Sequence, residues 1–324
     1  MTWEALWAGR SLASSALLPL SWVYGLGLRL RPPVIPERVE GLQVVSVGNL
    51  VVGGAGKTPV VALLASWALQ AGRSVAVLSR GYGRRSASPV YWAGGALPAV
   101  EEVGDEPRWF ARRLPGVHLF VGADRVAAAQ RARALGCTVA LLDDGFQHRR
   151  LHRDVDVLID VGVGNGRLLP AGPLREPVSA ATRASVLWAR DGAKALSAPH
   201  ALRVEANHSL DGMTGPSGER VAELRGQRVV VLAGLARPST VVTGLETAGA
   251  EVVGQHLYAD HHSFTSTELA AALADAESKQ ARVVTTEKDA ERLPEGAHVW
   301  VLHQRLKLSA TDEAALRARL GWTR

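Results

Sequence analysis

At 324 residues the chain exceeds the roughly 100–200 residues that one core usually serves, so two globular units are expected. Hydrophobic residues at 47% and charged residues at 21% exclude a disordered chain and a multi-span membrane protein. The net charge of +6 and a pI near 9.9, carried mostly by Arg, favour anionic partners such as phosphates, acidic lipid or nucleic acid.

In chain order, the first feature is Ser11 to Leu28, a stretch without a charge that is preceded by Arg10 and followed by Arg29, Arg31 and Arg38. Glu4 and the lack of a small-x-small site argue against a cleaved signal peptide. Pro19, four Ser and two Gly make a full span borderline, since about 20 apolar residues are needed. An in-plane or partly inserted helix, with Trp3, Trp7, Trp22 and Tyr24 at headgroup level, fits at least as well. A buried core helix is the remaining alternative.

Beyond Pro32, Pro33 and Pro36, short β-branched runs alternate with Ala- and Leu-rich helical stretches, the pattern of βαβ units and a parallel sheet. Strands are predicted at Leu42–Val47, Ser74–Leu78, His118–Val121, Thr138–Leu142, Val155–Asp160 and Ser185–Ala189. After the first of them comes Gly48-Asn49-Leu50-Val51-Val52-Gly53-Gly54-Ala55-Gly56-Lys57-Thr58-Pro59 and a helical run. This order of strand, loop and helix predicts a phosphate-binding loop. Gly53, Gly54, Ala55 and Gly56 would turn N–H groups toward phosphate oxygens, Lys57 would reach the β- and γ-phosphates, and the Thr58 hydroxyl would ligate Mg²⁺. The usual G-x-x-x-x-G-K-T spacing would want Gly where Val51 stands.

Ser79-Arg80-Gly81-Tyr82-Gly83-Arg84-Arg85 follows the second strand and suits an anionic ligand or a basic surface loop. Gly104-Asp105-Glu106-Pro107 opens a helical stretch, where an acid by itself reads as a cap. The single cysteine, Cys137, excludes an internal disulfide and reads as a buried structural thiol. The strand after it delivers Asp143 and Asp144 at its C-terminal end, as a Walker B strand does, so either acid would hold Mg²⁺ directly or through water. His148 and His152 lie four apart within a basic run but lack a third ligand for zinc. Asn165 to Pro177 is too rich in Gly and Pro for regular structure and too apolar for a solvated loop, which predicts a binding loop or a packed structural one.

From Ala201 to Leu224 the sequence reads as an extended connector. Strands resume at Arg228–Ala233, Glu251–Gln255, Arg282–Thr286 and Val299–Leu302, with helices near Ser239–Ala248, Ser266–Ser278 and Thr311–Leu320. The expected organisation is an N-terminal membrane-associating segment (1–38), a P-loop NTPase-like doubly wound parallel sheet (39–202), the connector (203–224) and a smaller α/β domain closing a cleft (225–324). In that last domain Tyr258-Ala259-Asp260-His261-His262 and Thr285-Thr286-Glu287-Lys288-Asp289 follow strands.

Taken together, these strings resemble the tetraacyldisaccharide 4'-kinase family, the lipid A 4'-kinases of Gram-negative bacteria. The resemblance runs from about Leu42 to Leu293 and rests on the order of Val-Gly-Asn-Leu, Gly-Gly-Ala-Gly-Lys-Thr-Pro, Ser-Arg-Gly-Tyr-Gly, Gly-Asp-Glu-Pro, Asp-Asp-Gly-Phe-Gln-His, Leu-Pro-Ala-Gly-Pro-Leu-Arg-Glu-Pro and Asp-His-His. It implies ATP- and Mg²⁺-dependent phosphorylation of the 4'-hydroxyl of a tetraacylated glucosamine disaccharide 1-phosphate. It places the protein at the cytoplasmic face of the inner membrane, either peripheral or held by one N-terminal anchor. It also implies that Lys57 and Thr58 hold nucleotide phosphates and metal and that Asp143 and Asp144 belong to the metal site. Asp105 would be the base and His261 would support it across a cleft, orienting the carboxylate or raising its basicity. Ser79, Arg80, His148, Arg149, Asn165 and Arg175 are the candidate substrate-binding residues. No obligate protein partner or nucleic acid is expected. The competing reading is a membrane-associated P-loop ATPase switch, which would not need the loop at 165–177 or a second domain bearing an acid and a histidine.

Overall fold

The computed structural model describes residues 6–7, 9–235, 238–294 and 296–323; Trp3 and Glu4 lie outside them. The N-terminal apolar stretch forms two short helices, α1 (Leu12–Ala16) and α2 (Leu18–Arg29). Ser11 caps the first by accepting the Ser14 N–H, and Pro19 stands in the first turn of the second, where its missing N–H costs nothing. At ~1.5 Å per residue α2 is far shorter than the ~30 Å of a bilayer's hydrocarbon core. Among the described residues no helix is long and apolar enough to cross a membrane.

The chain continues through β1 (Gln43–Asn49), α3 (Lys57–Gln70), β2 (Val75–Ser79), β3 (Val90–Trp92), α4 (Val100–Val103), α5 (Asp105–Arg113), β4 (His118–Val121), α6 (Arg125–Ala134), β5 (Val139–Asp143), β6 (Val155–Asp160), β7 (Val186–Arg190) and β8 (Leu202–Thr214). It ends with β9 (Arg220–Val221), β10 (Arg228–Ala233), α7 (Ser239–Thr247), β11 (Glu251–Leu257), α8 (Ser266–Ser278), β12 (Arg282–Thr286), α9 (Glu287–Ala290), β13 (Trp300–Leu308) and α10 (Ala310–Leu320). Two compact units result, and neither is contiguous in sequence. One comprises residues 1–80, 116–207 and 308–324, the other 81–115 and 208–307.

In the first unit the strands run β8-β7-β6-β1-β5-β2-β4, paired in parallel. The strands β2, β5 and β6 are buried along their whole length, as expected of a parallel sheet covered on both faces. Later strands flank β1 on both sides, so its C-terminal end is the switch point of the doubly wound order, where ligands bind in such sheets. Two glycines make this end possible. A Cβ on Gly48 would stand 2.5 Å from the Phe146 Cβ and 2.8 Å from its backbone nitrogen, and one on Gly145 would stand 2.6 Å from the Leu142 Cβ. The Gly145 N–H donates to the Val47 carbonyl at 3.0 Å, so the turn after β5 folds directly onto β1.

The last helix, α10, returns to this unit instead of staying with the second domain that sequence order suggests. Its end is tied down by the Trp322 indole N–H donating to Gln43 Oε1 at 2.9 Å and by the Gln43 amide donating to the Leu320 carbonyl at 2.9 Å. Trp322 is fully buried.

In the second unit β11-β10-β12-β13 form a parallel sheet, with the far part of β8 beside β13 and β9 antiparallel to β8. The stretch read as an extended connector is therefore mostly the long strand β8. Its alternation is visible in Leu202, Val204 and Ala206, while Asn207-His208-Ser209 hides its continuation. Residues 81–115 belong here because α5 is held to α9 and the turn beyond it. Arg108 and Arg112 both pair with the buried Glu291 at 3.0 and 2.6 Å, and the Trp109 indole donates to Glu287 at 3.1 Å.

Gly48→Ala should cost about 1–3 kcal/mol of unfolding free energy, the usual penalty for forcing a methyl group into a filled core, read as a lowered urea midpoint with unchanged m. A parental midpoint would show that the β1 end is not packed as described.

Candidate active site

The loop after β1 turns at Gly53 to Gly56, and Gly56, left-handed at φ 74°, is the N-cap of α3, whose first residue is Lys57. The N–H groups of this first turn and the helix dipole suit an anion. Val51, the departure from the usual spacing, is buried in extended backbone bridged to Leu174. The Val52 N–H donates to the Pro173 carbonyl at 2.9 Å. The position that usually turns at glycine here stays extended because the loop at 165–177 pairs with it.

Lys57 Nζ lies 3.3 Å from Asn49 Oδ1 and 3.5 Å from Asp144 Oδ1. Asn49 is buried and donates to the Val51 carbonyl at 2.6 Å, which aims its oxygen at the lysine. Asp144, left-handed at φ 55°, also accepts from Arg175 Nη1 at 2.8 Å. Burial pushes the Asp144 carboxyl up, but the charges of Lys57 and Arg175 outweigh it and hold it below the ordinary value. Asp143, almost fully buried, accepts from the Ser79 hydroxyl at 3.2 Å. Thr58 follows in the helix, half-buried.

Four of the expected substrate contacts are used differently. Ser79 is buried against Asp143, and Arg175 braces Asp144. Asn165 spends its side chain inside its own loop, donating to the Ala171 carbonyl at 2.8 Å and accepting the Arg167 N–H at 3.1 Å. Burial, then the charges of Arg125, Arg153 and Arg150, push the His148 imidazole down to about 4, which favours its neutral form near pH 7. Arg80 is exposed at the end of β2. Arg149 is exposed and donates to the Pro32 carbonyl at 3.0 Å.

The partner of the apolar loop is the N-terminus. Ser21 Oγ donates to the Leu168 carbonyl and accepts the Ala171 N–H, both at 2.9 Å. The Tyr24 hydroxyl donates to the Arg175 carbonyl at 2.9 Å, and the Trp7 indole donates to the Pro170 carbonyl at 3.0 Å. Trp7 and Tyr24 are thus anchored in the protein, while Trp22 is 70% exposed beside Leu20, Val23 and Leu26. A cavity of about 800 Å³ lies along α2, lined by Trp22, Leu26, Arg29, Arg149, Leu168 and Arg183 among others.

The second unit holds Asp105 and His261 together. Expected on different domains, they share one unit because residues 81–115 pack there. Asp105, 3% exposed, lies in the first turn of α5. Its Oδ1 accepts the Glu106 N–H at 3.0 Å, but the N-cap of α5 is Gly104 and no side chain caps the helix, so the cap reading does not hold. Its Oδ2 faces His261 Nδ1 at 3.1 Å, Arg292 Nη1 at 2.9 Å and Lys288 Nζ at 3.7 Å. This contact assigns the proton to Nδ1. Burial pushes the Asp105 carboxyl up, but the His261 hydrogen bond and the charges of Lys288 and Arg292 outweigh it and hold it below the ordinary value. The environment therefore orients the carboxylate and does not raise its basicity. Arg292 escaped the sequence reading, which stopped at Asp289; it lies in the turn beyond α9, and its i, i+3 spacing from Asp289 was the available signal.

A family model described as Tetraacyldisaccharide-1-P 4'-kinase matches residues 13–321. A protein named Tetraacyldisaccharide 4'-kinase from Anaeromyxobacter sp. (strain K) is 45% identical over 309 residues, covering 88% of this chain and 81% of the relative. One of the same name from Nitrobacter winogradskyi is 38% identical, covering 96% and 94%. Among solved structures, the "apo" form of LpxK from Aquifex aeolicus in complex with ATP is similar with a TM-score of 0.74 and 28% identity, covering 95% of this chain and 99% of that one.

The lowered His148 pKa sets a sign for stability. Between its ordinary value near 6.5 and about 4, the unfolded chain binds a proton that the native state refuses, so stability falls as pH falls through that window. His148→Asn should flatten the drop in urea midpoint between pH 7 and pH 5; an unchanged slope would place the imidazole in a solvated site.

Proposed function

The chain belongs to the tetraacyldisaccharide-1-P 4'-kinase family, and on that premise we propose how it transfers the γ-phosphoryl group of ATP to the 4'-hydroxyl of a tetraacylated glucosamine disaccharide 1-phosphate in lipid A biosynthesis. The ATPase-switch alternative gains no support, since the relatives are named as kinases.

The phosphate loop takes the nucleotide. The first turn of α3 offers N–H donors to the phosphates, and Lys57, already directed by Asn49, adds the charge that meets the β- and γ-phosphates. Arg175 keeps Asp144 ionised and in place. The donor set of Thr58, Asp143 and Asp144 is all oxygen, which fits a hard cation such as Mg²⁺. Among the described residues no group of three or more His, Cys, Asp or Glu side chains could hold a metal, so this set suits an ion shared with nucleotide phosphates. When bound, Mg²⁺ would neutralise charge between the β- and γ-phosphates.

The observation that carries the acceptor side is the buried Asp105 carboxylate aligned on His261 at 3.1 Å. Held below its ordinary pKa, Asp105 is ionised at neutral pH and a weak base. It receives the hydroxyl proton late, as the new O–P bond acidifies that hydroxyl, and it gains from being aimed more than from being basic.

The acceptor carries four acyl chains, so the enzyme meets it at a bilayer. Leu20, Trp22, Val23, Leu26 and Leu30 are exposed beside Arg29 and Arg31, the make-up of a helix that lies on an anionic surface. This reading has the protein peripheral on the cytoplasmic face of the inner membrane, with α2 in the interface.

With labelled ATP and disaccharide 1-phosphate, the native chain should yield a phosphorylated lipid. Lys57→Ala should abolish nearly all of it, and Asp105→Asn should lower kcat roughly 10²-fold or more with little change in KM for ATP. Adding His261→Ala to Asp105→Asn should make matters scarcely worse, because the two act as a unit. ATP turnover indifferent to the lipid would sink the reading.

Deleting residues 1–30 would also strip Ser21 and Tyr24 from the loop at 165–177, so exposed positions test the membrane role more cleanly. Trp22→Ser with Leu26→Ser should weaken flotation with phosphatidylethanolamine–phosphatidylglycerol vesicles while leaving ATP-analogue binding intact. Unchanged flotation would remove α2 from the interface.

A further inference from the structure

We propose that Arg292 is a positioning residue for the Asp105–His261 pair, with one guanidinium holding both partners. Its Nη1 donates to Asp105 Oδ2 at 2.9 Å, the oxygen that also faces His261 Nδ1. Its Nη2 donates to the Gly234 carbonyl at 2.9 Å, and the same carbonyl accepts the backbone N–H of His261 at 3.1 Å. The side chain of one partner and the main chain of the other are thus referenced to a single planar group. His261 needs such a hold, since its backbone sits at φ 61°, a region sparsely populated by residues other than glycine.

The guanidinium is itself fixed. Its side chain is 4% exposed and ion-paired with Asp289, which is fully buried. Asp289 accepts from the Thr286 hydroxyl at 2.8 Å and from the Gly234 N–H at 3.2 Å. A chain of contacts therefore runs from Thr286 at the end of β12 through Asp289 and Arg292 to Asp105 on α5. Lysine at 292 would keep the charge but lose the fork, because an ammonium lacks two donors held rigidly in divergent directions. The groups facing Asp105 are His261, Lys288 and Arg292, with Glu106 on the far side of Lys288 at 3.3 Å and Asp260 on the far side of His261 at 3.6 Å.

This inference rests on Asp105 as the proton acceptor, and the experiment separates the two. Full-length Arg292→Lys, Asp289→Asn, Asp105→Asn and the Arg292→Lys/Asp105→Asn double variant are compared in kcat, in KM for ATP and disaccharide 1-phosphate, and in pH–rate profile. Arg292→Lys should lower kcat roughly tenfold or more, since small misplacements of a reacting group are costly, with KM for ATP unchanged. The acid limb of kcat/KM should move to higher pH, because a cation that holds Asp105 down has shifted away. Asp289→Asn, which keeps the size and an acceptor for Gly234, should lower kcat likewise but move the acid limb to lower pH, because a negative charge near Asp105 is removed, and it serves if Arg292→Lys does not fold. In the Asp105→Asn background Arg292→Lys should cost nothing further. A parental kcat and pH profile in Arg292→Lys and Asp289→Asn, or losses that add fully to those of Asp105→Asn, would overturn the positioning role while Asp105 stands. Parental activity of Asp105→Asn alone would overturn the acceptor assignment, and the positioning role with it.

Discussion

A parallel sheet sends the C-terminal ends of its strands to one edge, and in the larger unit the proposed chemistry hangs on the edge around β1. The phosphate loop leaves β1 there, Ser79 ends β2 there, and Asp143 ends β5 there. None of these residues is near another in sequence, yet parallel register makes them neighbours: Val47 is level with Asp143, and Leu78 with Leu142. The close approach of Gly145 to β1 follows from the same constraint, since the turn after Asp143 has nowhere to go but over the central strand. The sharp turn throws Asp144 into a left-handed conformation beside Lys57 and Arg175. Asp residues tolerate that region better than most, which reconciles the backbone's demand with the charge the site needs.

The second dependency is less visible. The N-terminal helix and the loop at 165–177 each have a face that neither could leave unsatisfied alone. The loop presents backbone carbonyls at Leu168, Pro170 and Arg175, and the N-terminal segment supplies Ser21, Trp7 and Tyr24 as donors to them. Because Arg175 also braces Asp144, the N-terminal segment proposed to meet a lipid surface and the carboxylate proposed for the phosphate site share one loop. Ser21 and Tyr24 are consequently structural, and the exposed Trp22 is free to act outward.

Local strings were legible in the sequence and partnerships were not. Lys57, Thr58, Asp143 and Asp144 stood out because a strand, a glycine turn and a helix start lie within a few residues of one another. Most predicted strands were found, since buried parallel strands are written as continuous Val and Leu runs. Residue type did not reveal the surroundings of His148 and Asn165. Burial and three neighbouring arginines push the His148 imidazole down, and the Asn165 carboxamide bonds within its own loop. The connector was misread because Asn207-His208-Ser209 interrupts an alternation that resumes beyond it. The unit boundaries escaped a linear reading altogether: Glu291 claims residues 81–115 through Arg108 and Arg112, and Gln43 claims the C-terminus through Trp322. No pattern within either segment announces a partner about 180 or 280 residues away.

In the roles proposed for them, Asp144 and Asp105 illustrate one electrostatic solution used for different ends. Asp144 and Asp105 are both taken substantially out of water, which by itself would favour the neutral acid. Each is instead held ionised by a pair of cations, Lys57 with Arg175 in one unit and Lys288 with Arg292 in the other. For a group that meets metal and phosphate, permanent ionisation is the useful state. For a proton acceptor it looks like a handicap, since lowering the pKa lowers the driving force for taking a proton. The handicap is small when the donor is a sugar hydroxyl, because no carboxylate, tuned or not, approaches the basicity of an alkoxide. The proton can move only after bonding to phosphorus has begun. At that point the rate is governed by whether a lone pair already points at the hydroxyl, and rigidity gains more than a unit of basicity would. Lys288, Arg292 and His261 lower the pKa of Asp105 and hold its Oδ2 in place by the same contacts, so the weak base and the well-aimed base are one arrangement.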